Sequence, residues 1–173
     1  MNIFYLDEDP VLAAKMQCNK HVVKMMTETG QMLCAAFNPG EAPWKRSHYN
    51  HPSTIWARQS RENYRWLLIH GLALCKEYTE RYGKVSKSEE VIKWCFRNTY
   101  RLKFPSVGLT TPPVAISDNM NCRMFIPEFD TLSRVEQYQL YYIMDKSHFA
   151  IWPEGKIPQW YEEGALIYHE MDI

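Results

Sequence analysis

The sequence predicts a mostly α protein: a single compact domain of about four to five helices, with a short extended N-terminus and a long irregular loop. Three observations carry that expectation. Val22, Met26, Leu33 and Phe37 recur at helical spacing, with Met25, Met32 and Ala36 beside them. Start and stop residues bracket the periodic stretches, Asp9-Pro10 before the first and Gly83 after the longest. Residues 102–130 carry Pro105, Pro112, Pro113 and Pro127, an irregular stretch of a length that is often functional. No internal repeat and no separating linker is visible, so residues 1–173 read as one domain.

Asn2 to Leu6 reads as a short extended segment. Asp9 caps a helix with Pro10 at its first position, and the helix continues, with a break expected near Asn19, to Phe37. Asn38-Pro39-Gly40 stops it. Ser53 caps a long helix running to about Tyr82, with Gly83 as its left-handed terminator and Gly71 allowing a close crossing or a bend. Ser86-Lys87-Ser88-Glu89 fits a capping box for a helix through about Tyr100. A final helix covers roughly Leu132 to Trp152. The aromatic tail Ile157-Pro158-Gln159-Trp160-Tyr161 is placed back on the body.

The chain has 173 residues, 14% of them aromatic, with 20 basic and 20 acidic side chains. No global field draws such a protein to nucleic acid, but the charge is segregated. Residues 41–110 hold 13 Lys/Arg against 6 Asp/Glu, a net of +7; residues 111–173 hold 4 against 10, a net of −6. That pattern predicts one basic face on a neutral molecule. Five dispersed cysteines form no CxxC pair, which argues against a disulfide framework and for reduced thiols in a cytoplasmic setting. The N-terminus carries Asp7-Glu8-Asp9 rather than a basic stretch and an apolar run, so no signal peptide is expected. No apolar run reaches membrane-spanning length.

Residues 48–66 concentrate the chemistry. His48, Tyr49, His51, Arg58, Asn63 and Trp66 put arginine, imidazole, amide and flat rings together, a set suited to an anionic, ring-containing ligand. Arg58, Arg61 and Arg65 at spacings of three and four share or adjoin one helical face, a pattern that equally describes a solvated charged face. His48-x-x-His51 invites zinc, but no third ligand stands at a recognisable spacing, and the alternative is a helix cap beside a solvated ring. No metal and no cofactor is expected. Arg81 and Lys84 flank Gly83, as phosphate contacts or as cations favoured at a helix C-terminus. The second concentration is Lys20, His21, Lys24, Glu28 and Gln31 on the earlier helix. Partial burial of Glu28 would suit it to general acid or base work, with Lys20 and His21 as nucleophile, base or anion contact. The plain alternative is an amphipathic helix with its polar face in water.

The layout resembles the bacteriophage pyrimidine-dimer DNA glycosylase/AP-lyase family. The counterparts are Asn2-Ile3-Phe4 for its extended N-terminus, Lys20-His21 for its Arg-Glu pair, Asn63 to Gly83 for its long central helix with a basic terminal turn, Tyr138 to Lys146 for a later helix, and Trp160-Tyr161 for its Trp-Tyr tail. The resemblance implies a DNA glycosylase-like helical fold, DNA as partner, and a viral protein acting in a host cytoplasm. It also implies an α-amine nucleophile, exposed in the family on a small second residue once methionine is removed. Asn2 is bulky, so a Schiff base here would use the Met1 amine. The family's catalytic glutamate falls at His21, with Glu28 two turns further on. The tail is acidic, Glu162-Glu163, where a duplex binder is basic. These departures argue against lyase activity and favour a small nucleotide or modified base.

Two functions follow. The first is an N-glycosidase acting on a pyrimidine base or nucleotide, with Glu28, His21 and Lys20 catalytic, and with Gln31, His48, Tyr49, His51, Arg58, Asn63, Trp66, Arg81 and Lys84 binding substrate. The second is a non-catalytic nucleotide-binding protein, such as a viral sponge that sequesters a host signalling nucleotide.

Overall fold

Capping chemistry sets the helix boundaries of the structure, a computed structural model that describes residues 1–170. The helices are α1 Pro10–Met16, α2 Asn19–Cys34, α3 Pro52–Gln59, α4 Arg61–Tyr82, α5 Lys87–Asn98, α6 Asn121–Phe125, α7 Arg134–Tyr141 and α8 Gln159–Glu170. The mostly helical class holds, and no strand occurs among the described residues, but there are eight helices rather than four to five. One extra helix comes from a break in the predicted Ser53–Tyr82 helix. Ser60 is extended (φ −146°, ψ 159°), its Oγ accepts from Asn63 N and so starts α4 afresh. The others are α6, inside the stretch expected to be irregular, and α8, which contains the aromatic tail.

Asp9 accepts from Val11 N and Leu12 N ahead of Pro10, as its position predicts. The break before Asn19 is real: Gln17 and Cys18 are extended between α1 and α2. Gly83 ends α4 at φ 69°. Ser86 caps α5 on Ser88 N, while Glu89 pairs instead with Lys93 at 3.4 Å, so the reciprocal box is not formed there. A complete capping box stands at Ser133–Glu136, starting α7. The last helix is shorter than the predicted Leu132–Trp152: α7 passes into a π-helical turn at Tyr142–Lys146 and stops.

α4 is the central element and packs against α1, α2, α3 and α5. The crossing is close at Gly71, where a Cβ would meet Thr29 Cγ2 at 2.9 Å and Ile92 Cδ1 at 3.1 Å. Leu67, Leu74 and Cys75 of α4 are buried with Val22, Met32 and Leu33 of α2. The second half of the chain packs α7 and its π turn against α6 and α8. Trp160 Nε1 reaches Met16 Sδ at 3.5 Å, and Trp152 and Tyr161 stand 4.6 Å apart, so the tail lies on the body as expected. No helix among the described residues is long and apolar enough to cross a membrane.

Candidate active site

The N-terminus is not a simple extended segment. Asn2 Oδ1 accepts from Ile3 N at 2.8 Å and Phe4 N at 3.1 Å, and its Nδ2 donates to Ala115 O at 3.0 Å. Phe4 is left-handed at φ 58°, a conformation rare for a bulky residue and held only where the surroundings impose it. Its ring stacks on His21 at 4.0 Å. This turn lays the first residues along α2. The Met1 amine then stands 3.6 Å from Glu28 Oε1. Asn2 N donates to the same oxygen at 3.2 Å. Lys24 Nζ lies 3.8 Å from Oε2, and the Glu28 side chain is 15% exposed.

Glu28 and the amine line a cleft of about 310 Å³, which is room for one base or nucleotide. Lys20 and Lys24 come from α2, Tyr141 from α7, Lys146 from the π turn and Phe149 from the segment after it. Lys20 Nζ sits 4.5 Å from the Phe149 ring centre, and Lys146 Nζ 4.7 Å from that of Tyr141. Three lysine ammonium groups, the Met1 amine and the rings of Phe4, Tyr141 and Phe149 therefore border one carboxylate. A π turn at a cleft is a recurrent functional device. It brings Lys146 to groups more than a hundred residues away in sequence.

His21 is buried and lines the same cleft. Its Nδ1 lies 2.5 Å from the Tyr142 hydroxyl, which also accepts from Cys18 N at 3.2 Å. Burial first, then the charges of Lys146, Lys24 and Lys20, push its pKa down to about 3. The imidazole is therefore neutral near pH 7.

The 48–66 block divides. His51 caps α3, its Nδ1 accepting from Ser53 N at 3.1 Å. Its pKa is lowered by burial, then by the Met1 ammonium and His48, with the Glu28 carboxylate pulling the other way. His51 therefore stands within electrostatic reach of the Glu28–amine pair. His48 is exposed, left-handed at φ 50°, and contacts Ser47 Oγ at 3.1 Å. Tyr49 and Arg58 form a cluster of their own: the Arg58 guanidinium lies 3.8 Å from the Tyr49 ring centre and donates to Tyr49 O at 2.7 Å. Because Ser60 breaks the helix, Arg58 and Arg61 do not share one continuous face.

Three predicted contacts have structural partners outside the cleft. Asn63 is fully buried: Nδ2 donates to Trp56 O at 3.0 Å and Thr110 Oγ1 at 2.9 Å, and Oδ1 accepts from Thr110 N at 2.9 Å. Trp66 is buried, donates to Glu8 O at 2.8 Å and stacks on His70. Arg81 has a side chain 2% exposed, ties α4 to the α1–α2 junction through Gln17 O, Lys15 O and Asn19 Oδ1, and pairs with Glu77 on α4 itself. Lys84 is exposed and Gln31 half-buried, and neither lines the cleft. Of the twelve predicted positions, then, Lys20, His21 and Glu28 come together in the cleft. Among the described residues no three His, Cys, Asp or Glu side chains converge as metal ligands would.

A family model described as pyrimidine dimer DNA glycosylase matches residues 1–90. The chain belongs to that family. The match spans the N-terminal turn, Glu28 and the 48–66 block, while α7, its π turn and the Trp-Tyr tail lie beyond it. No curated protein and no solved structure matches.

Sequence reasoning placed the family's glutamate at His21. The structure puts Glu28 against the amine, with His21 as a neutral neighbour two turns back. It missed Asn2, Tyr141, Lys146 and Phe149 as cleft residues. Lys24 was readable, since it stands four residues from both Lys20 and Glu28 on one face. Nothing local marks Lys146 or Phe149, because the chain folds back across the whole domain to bring them in.

Proposed function

We propose that the protein is a DNA glycosylase that releases a pyrimidine base at the Glu28 cleft, and that the whole chain works as one unit. The observation that carries the reading is the α-amine held on the Glu28 carboxylate. The arrangement tolerates either processing outcome. Met1 N lies 3.6 Å and Asn2 N 3.2 Å from Glu28 Oε1, so whichever residue is first presents its amine to the same oxygen. The family match and the three lysines around the cleft support the same reading.

The chemistry follows from those groups. Glu28 accepts a proton from the ammonium, leaving a neutral amine. The amine nitrogen attacks C1′ of the target nucleotide, the C1′–N glycosidic bond breaks, and the base leaves with the bonding pair, taking up the proton that the attacking nitrogen gives up. Ring opening then forms the C1′=N imine, with the Glu28 proton passing to O4′. Lys20, Lys24 and Lys146 hold flanking phosphates, and Tyr141 and Phe149 offer faces for the extruded base. His21, neutral and fixed by Phe4 and Tyr142, shapes the floor without adding charge.

The test is incubation with oligonucleotides carrying pyrimidine dimers, uracil or modified pyrimidines, followed by separation of free base and strand products. Glu28→Gln should lower turnover by about 10²- to 10⁴-fold while binding is retained. Binding of nucleotides that are recovered intact, with no base release on any substrate, would support sequestration instead and remove the enzyme reading.

A further inference from the structure

A second basic feature lies further along α2 from Glu28. Trp44 packs on α2 at Gly30, where a Cβ would stand 2.5 Å from its ring. The loop then continues to Arg46, whose Nη2 donates to Phe37 O at 2.6 Å. Arg46 and Arg58 both lie against the Tyr49 ring, at 4.0 and 3.8 Å from its centre. Beside them is a hollow of about 220 Å³ lined by Tyr49, Arg58, Lys103 and Phe104, with Arg61 over the Phe104 ring at 5.2 Å.

The charge here is uncompensated. Among the described residues no carboxylate lies within 4 Å of Arg46, Arg58, Arg61 or Lys103, whereas nearby Arg101 is paired with Glu41. Arg46 Nε is buried without a hydrogen-bond partner. Two guanidiniums on one ring with no neighbouring carboxylate make a positive site that an anionic ligand would complement. The hollow borders Ala36, two turns beyond Glu28, which is about 12 Å at the helical rise. The cleft is built on α2, and the hollow borders the turn that follows it.

We propose that the Tyr49–Arg58–Lys103 hollow, with Arg46 against the Tyr49 ring beside it, is a second nucleic-acid subsite. It holds a backbone phosphate about three to four nucleotides along the strand whose target base enters the Glu28 cleft. The proposal builds on the glycosylase reading but is tested by binding alone.

The experiment measures binding of fluorescent oligonucleotides of one, two, four, six and ten nucleotides to the Glu28→Gln protein, in DNA and RNA versions, across a salt series. Affinity should rise steeply between two and six nucleotides. Adding Arg58→Ala with Lys103→Ala should weaken the longer ligands roughly tenfold and lower the salt slope by about 0.7, one single-strand phosphate contact. The mononucleotide should be unaffected. Lys103→Ala alone removes an exposed side chain, serves where the double variant folds poorly, and should show the same effect in smaller degree. Lys93→Ala, on α5 in an ion pair with Glu89 and not lining the hollow, should change nothing. A preference for DNA over RNA at equal length assigns the strand to DNA, and the reverse overturns that part. Length-independent affinity, or an unchanged slope in both Arg58 and Lys103 variants, overturns the subsite even if base release is observed. Length-dependent binding lost in those variants upholds it even if no base is ever released.

Discussion

Asn63→Ala separates a structural clamp from a ligand contact. Asn63 is 0% exposed and joins three segments: the end of α3 through Trp56 O, the first turn of α4, and the 102–118 loop through Thr110. Alanine removes three hydrogen bonds. At about 1 kcal/mol net each, with Thr110 free to turn to water and Trp56 O left buried, the loss is roughly 2–3 kcal/mol. For a chain of this length that lowers the melting temperature by about 5–10 °C. Calorimetry reads the shift, and oligonucleotide titration below the new transition reads the affinity. The clamp account expects the full thermal loss with affinity changed by less than about twofold. A shift under about 1 °C together with weakened binding would refute it and return Asn63 to the ligand-facing wall.

Three further outcomes follow from the same geometry. His21 and His70 are held down to pKa values of about 3 and 4, mainly by burial. Depressed bases stabilise the fold fully above the unfolded value near 6.5 and lose that contribution as pH falls, at up to about 1.4 kcal/mol per pH unit for each. Urea midpoints should therefore drop between pH 6.5 and 4, and His21→Phe should flatten the curve; parallel profiles would count against the assignment. Gly71→Leu drives a side chain into Thr29 and Ile92 and should cost about 1–3 kcal/mol or more by denaturant titration, whereas a neutral result would mean that the α2–α4–α5 crossing is looser. Arg81→Met leaves Glu77, 3% exposed, with only Lys156 at 3.6 Å, and should destabilise by about 3–5 kcal/mol, which a stability curve matching the parent protein would exclude.

The helical class and several boundaries were legible because they rest on local chemistry. Asp9-Pro10 and Gly83 each do what their residue types predict. The break at Ser60 was written in the sequence as a serine three residues before Asn63. It was masked because Trp56, Arg58, Arg61 and Arg65 also satisfy one uninterrupted helical period. The polar block of residues 48–66 looked like a single wall, yet burial divides it. Asn63 and Trp66 found backbone carbonyls inside the fold, while Tyr49 and Arg58 stayed near the surface. Composition cannot tell an arginine that reaches a phosphate from one, such as Arg81, that gathers three carbonyl and amide oxygens in the interior. Glu28 was legible as a carboxylate among apolar neighbours. Its partner amine was not, because the contact depends on the left-handed turn at Phe4, which no local signal announces.

The pairing of the N-terminal amine with Glu28 is the centre of the account, and covalent trapping tests it most directly. The protein is incubated with a base-released or abasic oligonucleotide in the presence of borohydride, and the adduct is mapped by peptide mass. The account predicts one trapped sugar on the α-amine of the first residue, lost when a short N-terminal extension moves that amine away from Glu28. A sugar trapped on Lys20, Lys24 or Lys146, or trapping undiminished by the extension, would contradict it.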